Sequence, residues 1–460
     1  MIYYNERNHL LEVRNYQYEL QDVPEPNLYR DIYPYDEVPK CTFNRLLVPM
    51  RTPKDLWMTD TTFRDGQQSR TPYTVEQIVE LFKMMHRLGG PNGMIRQSEF
   101  FLYSENDRTA IRKCQELGYE FPEITGWIRA TKDDLHLVKD MDLKECGILV
   151  SCSDYHIFHK LKKTRRQALD DYLDIIRGAL EMGIRPRCHF EDITRADYYG
   201  FVVPFATELQ YLMEEYNIPI KIRFCDTMGY GVPYPGATMP RSVPGIIYGI
   251  NYYARFPSAL IEWHGHNDFY KAVTNSTTAW LYGASSVNCS LLGIGERTGN
   301  TPLEAMVFEY AQLRGHLNGM DPTVITEIAE YYENVIGDVI PSRTPFVGKD
   351  FNVTRAGIHA DGVAKDEEIY NIFNTDKLLN RPLGVEINKN SGSAGIAYWL
   401  NQHCKIPNGE KFTKQSEEVI TLKDWVDNQY NDGRVTFIGK KELFRAMKEL
   451  TPHIAEFCKL

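Results

Sequence analysis

The chain contains eight short runs suited to β-strands, separated for the most part by amphipathic stretches. The runs are LWMTD, MIRQSEF, EITGWIRA, CGILVSCSD, IRPRCHFED, IKIRFCDTMG, ALIEWHGHND and SSVNCSLLG. The stretch TRRQALDDYLDIIRGALEMG shows the helical period, with apolar residues at 169, 173, 176 and 180 before Gly183. Eight such alternations over about 250 residues predict an α/β fold of the (β/α)8 or TIM-barrel type, with a doubly wound open sheet as the alternative.

Polar side chains collect at the carboxyl ends of these runs, and this placement favours the barrel over the open sheet. The residues are Asp65, Glu99, Ser153, Glu191, Asp226 and His266. In (β/α)8 enzymes, the carboxyl ends of the strands form the rim on which active sites are built. The sequence therefore predicts a catalytic rim assembled from loops that lie far apart in the chain.

We expect the barrel to occupy residues 51–315, with three further segments around it. Residues 1–50 include seven tyrosines in the first 35 positions and show no helical or strand period. So many aromatic residues argue against plain disorder, and we expect an irregular arm that packs on the barrel or on a neighbouring subunit. The later patterns predict a helical linker with an α+β lid subdomain over 316–412 and a helical tail over 413–460.

The composition excludes several classes of function. The net charge is −10 and no long basic run is present, so we expect no nucleic-acid partner. No window of about 20 apolar residues is present, so we expect no membrane span. None of the nine cysteines forms a CxxC pair, and five beside apolar runs are expected to be buried thiols: Cys146, Cys152, Cys188, Cys225 and Cys289. The odd cysteine count and the lack of a secretory pattern favour a cytoplasmic location.

The run WHGHND places His264 and His266 two residues apart. On a strand, both side chains would project to the same side, roughly 6.5–7 Å apart along the strand, and could bind one cation. Two hydrogen-bonded histidines at a polar strand end are the alternative. The run TDTTFRDGQQ follows the first strand on the same rim and offers Asp60 and Asp65 as oxygen ligands. Aspartate is, however, more often a turn or cap residue.

The glycine-rich run LLGIGERTGNTPLE follows the eighth strand and closes the same rim. Its glycines allow a tight loop, Asn300 can offer an amide oxygen, and Glu296 and Arg297 could form an ion pair. A glycine-rich loop alone is a weak signal. A carboxylate and two imidazoles with open coordination positions, however, suit a divalent metal that also holds a substrate.

The runs RDGQQ, HGHND and GIGERTGN, in this order and at these distances, resemble the acyl-CoA-condensing barrel enzymes called DRE-TIM metallolyases. The resemblance covers roughly residues 57–400 and includes SCSDYHIFHK, FEDITR and CDTMG after the fourth, fifth and sixth strands. The family includes isopropylmalate, homocitrate, citramalate and (Re)-citrate synthases and hydroxymethylglutaryl-CoA lyase. GIGERTGN lacks the cysteine that the lyases carry in this loop, which favours synthesis over cleavage.

The resemblance implies a divalent-metal site on the rim. Asp65, His264 and His266 would be the protein ligands and Asn300 a weaker one, whereas Asp60 would lie in the surrounding shell. Mn²⁺ is the ion that we expect first, and Mg²⁺, Co²⁺ and Zn²⁺ also suit such a set of ligands.

The resemblance also implies which groups act on the substrates. Arg64 would stabilise negative charge on the reacting oxygen, and Gln68 and Thr227 would bind the 2-oxo acid. Glu191 and His359 would together enolise acetyl-CoA, whose methyl proton is weakly acidic and needs a positioned base. In these enzymes the histidine reaches in from the partner subunit, so a homodimer with exchanged lids is implied.

The fifth strand indicates the kind of oxo acid. The run IRPRCHFED places Arg187, His189 and Glu191 on one face, and Arg187 stands where homocitrate synthases have an arginine that contacts their dicarboxylic substrate. Because arginine can bind a second carboxylate in bidentate fashion, a 2-oxo diacid is favoured, with His189 as a further contact. An ion pair between Arg187 and a structural carboxylate such as Asp192 is the alternative.

Between the two diacids, the bulky pair Phe269–Tyr270 favours the shorter one, oxaloacetate. The tyrosine-rich arm and the run HNDFYK are most similar to the (Re)-citrate synthases. We therefore expect acetyl-CoA and oxaloacetate to condense to citrate and free CoA. Homocitrate synthesis from 2-oxoglutarate is the first alternative, and isopropylmalate or citramalate synthesis comes after it. A non-catalytic barrel is the alternative from a different class.

Overall fold

The computed structural model describes residues 2–5, 10–13, 18–44 and 46–459, so small parts of the predicted arm and the last residue of the tail lie outside the described residues. The chain divides into two compact units, Met1–Asp321 and Pro322–Leu460. The first unit contains a closed barrel of eight parallel strands, and the second is mostly helical. None of the described helices is long and apolar enough to cross a membrane.

The eight barrel strands coincide with the eight predicted runs. They are β1 (Trp57–Asp60), β2 (Ile95–Phe101), β3 (Glu123–Arg129), β4 (Glu145–Ser151), β5 (Arg185–Glu191), β6 (Lys221–Asp226), β7 (Ile261–Gly265) and β8 (Ser286–Cys289). Neighbouring strands in the chain pair in parallel, and β8 also pairs with β1, with Ser286 opposite Trp57. This closure confirms the TIM barrel and excludes the open sheet.

A helix follows each barrel strand and covers the outside of the barrel. The helices are α1 (Val75–Gly89), α2 (Glu105–Glu116), α3 (Lys132–Asp140), α4 (Arg165–Glu181), α5 (Val203–Tyr216), α6 (Val243–Tyr253), α7 (Ala272–Tyr282) and α8 (Leu303–Arg314). In α4, a capping box of Thr164 and Gln167 begins the helix. The predicted apolar stripe of α4 is buried: Leu169, Leu173, Ile176 and Leu180.

The described part of the arm packs along the barrel of its own chain, with no helix or strand over residues 18–44. Tyr33 is buried there, and its hydroxyl donates a hydrogen bond to the carbonyl of Thr194, in the loop that follows β5. Ahead of this segment, the strands Ile2–Asn5 and Leu10–Val13 pair in antiparallel fashion. The arm therefore contacts the rim of the barrel.

The second unit combines seven α-helices and two short parallel strands among its described residues. They are α9 (Val324–Tyr331), β9 (Val353–Thr354), α10 (Gly357–Lys365), α11 (Thr375–Leu379), β10 (Gly384–Val385), α12 (Gly392–His403), α13 (Glu417–Asn431), α14 (Lys440–Leu450) and α15 (Pro452–Ala455). One hydrophobic core joins residues from Ala360 to Cys458. The predicted division at residue 412 is therefore not a boundary between compact units.

The boundary between the units falls after Asp321 instead of after residue 315. The reason is that the segment beyond α8 returns to the end of α1. Asp321 N donates to the carbonyl of Leu88 at 3.1 Å, and Asn92 Nδ2 donates to the carbonyl of Asn318 at 3.0 Å. These bonds keep the segment in the barrel unit.

The cysteines divide into buried thiols and one disulfide. The five cysteines predicted as buried thiols are free and buried, which confirms that prediction. Cys404 and Cys458, 54 residues apart, form a disulfide that the sequence did not predict. Two cysteines so far apart in the chain form no short sequence motif, so the sequence gives no sign that the fold brings them together.

Candidate active site at the carboxyl end of the barrel

The carboxyl end of the barrel holds a buried cluster of one aspartate and two histidines. Asp65 lies on the turn Thr62–Gly66 after β1, whereas His264 is on β7 and His266 follows directly. One oxygen of Asp65 and one nitrogen of each histidine all lie within 4.8 Å of one another, and the two imidazole Nε2 atoms are 3.2 Å apart. The fold thus brings together the three residues that the sequence predicts as metal ligands.

The hydrogen bonds around this cluster leave it able to bind a cation. His264 Nδ1 lies 2.8 Å from Asn288 Oδ1, and because an amide oxygen only accepts, the imidazole donates there and keeps a lone pair on Nε2. Asn300 Nδ2 donates to Asp65 Oδ2 at 2.6 Å, while Asn300 Oδ1 has no hydrogen-bond partner among the described residues. A buried, unpartnered amide oxygen beside a carboxylate and two imidazoles fits a divalent metal.

Burial and charge keep the ligands in the protonation states that metal binding requires. Burial lowers the pKa of His264 and of His266, so both imidazoles are neutral. Burial would raise the pKa of Asp65, but the Arg64 guanidinium, together with the hydrogen bond from Asn300, outweighs burial and holds that pKa below its usual range. Asp65 is therefore ionised and contributes a negative charge to the cluster.

Arg64 is fixed beside the cluster by two carboxylates. Its NH1 donates to Asp65 Oδ1 and its Nε donates to Glu99 Oε2, both at 2.8 Å. Since the side chain is also buried, the guanidinium is held in one orientation next to the cluster. Asp60 points instead toward β2, where it accepts a hydrogen bond from Ser98 Oγ at 2.6 Å.

The cluster opens into a cavity of about 310 Å³, a volume at the lower end of small-ligand sites. Besides the cluster and Arg64, the wall includes four residues with predicted substrate or acid–base roles: Gln68, His189, Glu191 and Thr227. All the lining residues belong to the barrel unit. The backbone N–H of Asp192 donates to Thr227 Oγ1 at 2.9 Å, which fixes the threonine hydroxyl on the wall.

Glu191 is held in the cavity wall by three donors from one segment of the chain. Ser151 Oγ donates to Glu191 Oε2, His156 Nδ1 lies 2.9 Å from the same oxygen, and Lys160 Nζ lies 3.3 Å from both carboxylate oxygens. Burial would raise the pKa of Glu191, but these three groups lower it to about 2. Glu191 is therefore an ionised carboxylate, the form that can accept a proton.

Two residues near Glu191 were not singled out from the sequence, His156 and Lys160. A signal for them exists, because they are four residues apart in SCSDYHIFHK directly after the fourth strand, and that spacing places two side chains on one face of a helical turn. The ion pair considered for Glu296 and Arg297 is not observed. Arg297 Nε donates instead to an Asp268 carboxylate oxygen at 2.8 Å.

The structure corrects the predicted role of Arg187. Its side chain is fully buried inside the barrel and does not line the cavity. The guanidinium donates to Gln97 Oε1 and to Glu99 Oε1, each at 3.1 Å. His189, two residues nearer the carboxyl end of β5, lines the cavity. Arg187 thus forms structural ion pairs, with Glu99 rather than Asp192 among its partners.

Glu99 is the centre of a buried ion-pair network beneath the rim. It accepts hydrogen bonds from Arg64, Arg187 and Arg223, and His189 Nε2 lies 3.1 Å from its Oε1. Burial would raise the pKa of Glu99, but the surrounding cations hold it well below its usual range. Barrel interiors are usually filled by apolar layers, whereas this charged layer supports Arg64 and His189 from within the barrel.

His359 belongs to the second unit rather than to the barrel. It lies on α10, where its imidazole is exposed and its ring centroid is 4.2 Å from that of Tyr370. Within one chain, the described wall of the cavity therefore comes from the barrel unit. The histidine that is expected to act as an acid or base belongs to the second compact unit.

The fold and the site define the class of protein. Residues 55–331 match the model of the HMGL-like family, and the chain belongs to that family. The HMG-CoA lyase of Bacillus subtilis, a solved structure, superposes with a TM-score of 0.50 at 18% identity, over 64% of this chain and 98% of the lyase. At this level of identity, the likeness shows the shared fold.

Two curated relatives are far more similar in sequence. The chain is 59% identical over 442 residues to the Citrate (Re)-synthase of Clostridium kluyveri, an alignment that covers 96% of this chain and 98% of the relative. It is 55% identical over 441 residues to the Citrate (Re)-synthase of Syntrophus aciditrophicus, over 96% of this chain and 70% of the relative. The similarity therefore extends through both units and is not confined to the barrel.

Proposed function

We propose that this chain is an acyltransferase with citrate (Re)-synthase activity. It would condense acetyl-CoA with oxaloacetate and water, using a divalent metal, to give citrate and free CoA. The observation that carries the proposal is the 59% identity to a Citrate (Re)-synthase over 96% of the chain. A non-catalytic barrel is disfavoured. Burying an ionised carboxylate beside an arginine and two neutral imidazoles costs free energy, and a barrel that serves only as a structural core could avoid that cost with apolar side chains.

The metal would be held by Asp65, His264 and His266, with the unpartnered oxygen of Asn300 as a weaker ligand. When bound, a divalent ion supplies Lewis-acid chemistry and chelates a 2-oxo acid through its carboxylate and ketone oxygens. We propose Mn²⁺ as the native ion, ahead of Mg²⁺, Co²⁺ and Zn²⁺. Oxygen ligands from the protein and the substrate favour Mn²⁺ and Mg²⁺, and the two imidazoles also suit Zn²⁺.

The other residues of the cavity would bind and activate the substrates. Arg64, held in one orientation, would place its positive charge where negative charge develops on the ketone oxygen. Thr227 and Gln68 would hold the oxo acid from the wall, with His189 as a further contact. Glu191, ionised and pinned in place, would take part in removing a methyl proton from acetyl-CoA.

Oxaloacetate is the favoured oxo acid even without a contact from Arg187. Lys160 and Arg297 line the cavity and supply the positive charge that a second carboxylate needs. The small cavity also favours the shorter diacid over 2-oxoglutarate. A monocarboxylic oxo acid would carry no second charge to match this positive charge, and homocitrate synthesis is therefore the second candidate.

We also propose a cytoplasmic location. Seven cysteines are free and six of them are buried, a pattern that suits a reducing compartment. The pair Cys404–Cys458, joined as a disulfide in the structure, would then be reduced in the cell.

The proposed activity has a direct test. Purified protein should release free CoA from acetyl-CoA when oxaloacetate and Mn²⁺ or Mg²⁺ are present, and chromatography should identify citrate as the product. A chelator should abolish the reaction, and added metal should restore it. Full activity in a metal-free preparation, or CoA release without citrate, would contradict the proposal.

A homodimer in which His359 acts in the partner's site is a further part of the proposal. The exposure of His359, with Ile358 beside it 74% exposed, leaves this surface of α10 open for a partner. His359→Ala and Arg64→Ala should each be inactive alone. Mixing them with subunit exchange should recover up to about a quarter of wild-type activity per chain, because half of the dimers are hybrids and each hybrid has one intact site.

A second mixture provides the control for subunit exchange. Arg64 and Glu191 both belong to the barrel unit, so Arg64→Ala mixed with Glu191→Gln leaves no barrel intact and should recover nothing. If exchange is verified and the His359→Ala mixture also recovers nothing, His359 does not act across the interface.

A further inference from the structure

Three groups from the end of β4 and the turn after it converge on Glu191. Ser151 is opposite Glu191 in the register of β4 and β5, which places its hydroxyl at the carboxylate. The chain then passes through the turn Tyr155–Lys160, where His156 and Lys160 approach the same carboxylate. The run SCSDYHIFHK thus surrounds the candidate base, although the proposed reaction assigns no role to it.

His156 lies between two carboxylates and donates to only one of them. Its Nδ1 is 2.9 Å from Glu191 Oε2, whereas its Nε2 is 3.7 Å from Asp192 Oδ2, which is too far for a hydrogen bond. Asp192 already accepts hydrogen bonds from Ser153 Oγ and from Arg195, whose Nε is 2.9 Å away. Since an ionised carboxylate can only accept, the imidazole donates its Nδ1–H to Glu191.

We propose that His156 is a positioning residue for Glu191, and that its Nδ1–H holds the carboxylate in one orientation and in the ionised form. This role rests on the proposed function, in which Glu191 helps to enolise acetyl-CoA. Lys160 constrains Glu191 less, because its side chain is 52% exposed on a flexible stem, whereas that of His156 is 16% exposed. A base that abstracts a carbon-bound proton works efficiently only from a fixed geometry.

Three other titratable groups that face Glu191 are neutral. The thiols of Cys152 and Cys225 and the phenol of Tyr172 lie on the neighbouring elements, and burial raises the pKa of each. The groups that favour the ionised form of Glu191 are therefore His156, Lys160 and Ser151. Because the bond from His156 favours the ionised carboxylate, its loss should raise the pKa of Glu191.

The test compares His156→Ala, His156→Asn and the control His159→Ala, which changes an exposed histidine of the same turn. The asparagine amide can donate a hydrogen bond from near the position of Nδ1 but cannot take up a proton. Rates are measured against pH with acetyl-CoA and whichever of oxaloacetate, 2-oxoglutarate and pyruvate the wild type converts. Each variant is also checked for metal content and folding.

His156→Ala should lower kcat by about 100-fold, with the KM for the oxo acid changed less than about threefold. The acid limb of its pH–rate profile should move to higher pH. His156→Asn should recover most of kcat and return the limb toward the wild-type position, and His159→Ala should resemble the wild type.

Two results would overturn the role of His156 alone. One is an unchanged kcat and acid limb in His156→Ala, and the other is an equal loss of kcat in both His156 variants with no movement of the limb. A wild type that is inactive with every oxo acid would instead overturn the proposed function, and the role of His156 with it. Activity with a different oxo acid would change the substrate assignment and still decide the role of His156.

Discussion

Asp65→Asn should lose most of its metal affinity and most of its citrate formation. Asp65 contributes the negative charge of the ligand cluster and also holds Arg64 through a 2.8 Å hydrogen bond. Binding of Mn²⁺, measured by calorimetry, should weaken by at least about 100-fold. Loss of a residue that only hydrogen-bonds to a metal ligand already lowers metal affinity by up to about 100-fold, and Asp65 is itself a proposed ligand. The value of kcat should fall by about 1,000-fold, equivalent to about 4 kcal/mol.

Asp55→Asn is the matched control for this variant. Asp55 is exposed and lies just before the amino end of β1, at the opposite end of the barrel from the cluster. The same chemical change there should leave Mn²⁺ binding and kcat as in the wild type. Normal metal affinity and turnover in Asp65→Asn would contradict the site.

Arg187→Met should destabilise the barrel rather than alter the choice of substrate. The guanidinium is fully buried and bonded to Gln97 and Glu99, so its removal leaves buried polar groups short of a partner. The free energy of unfolding of the barrel unit in urea should fall by about 3–5 kcal/mol. Any loss of turnover should be similar for oxaloacetate and for pyruvate, if the wild type converts both.

Arg166→Met provides the comparison for an exposed arginine. Its side chain is 54% exposed and pairs only loosely with Asp170, at 3.9 Å. The free energy of unfolding should therefore change by less than about 1 kcal/mol. A stable Arg187→Met protein that loses oxaloacetate turnover alone would restore the substrate role of Arg187 and contradict its assignment to the structural network.

The barrel and the ligand cluster could be predicted from the sequence because both depend on local patterns. The strand runs and the helical period reveal the alternation of strands and helices along the chain. Any β-strand places residues two apart, such as His264 and His266, on the same side, independently of the rest of the fold. The family resemblance, which rests on the order of the rim motifs, then selects Asp65 over Asp60. These features require no knowledge of distances between remote parts of the chain.

The prediction for Arg187 was wrong because the strand period shows on which face of the strand a side chain lies, but not how far that side chain is from the carboxyl end of the barrel. Arg187, His189 and Glu191 share one face of β5, and only the closed barrel decides which of them reaches the cavity. Glu99, one of the partners that hold Arg187, is 88 residues away in the chain. The same limit applies to His156, whose contact with Glu191 depends on the pairing of β4 with β5.

The most direct test of the proposed activity is a competition between the two diacids. Purified protein is given acetyl-CoA, Mn²⁺ and equal concentrations of oxaloacetate and 2-oxoglutarate, and citrate and homocitrate are quantified by mass spectrometry. We predict that citrate exceeds homocitrate by about 100-fold, the discrimination that one extra methylene in a closed pocket can provide. Homocitrate as the main product, or neither product, would contradict the assignment of this chain as a citrate-forming enzyme.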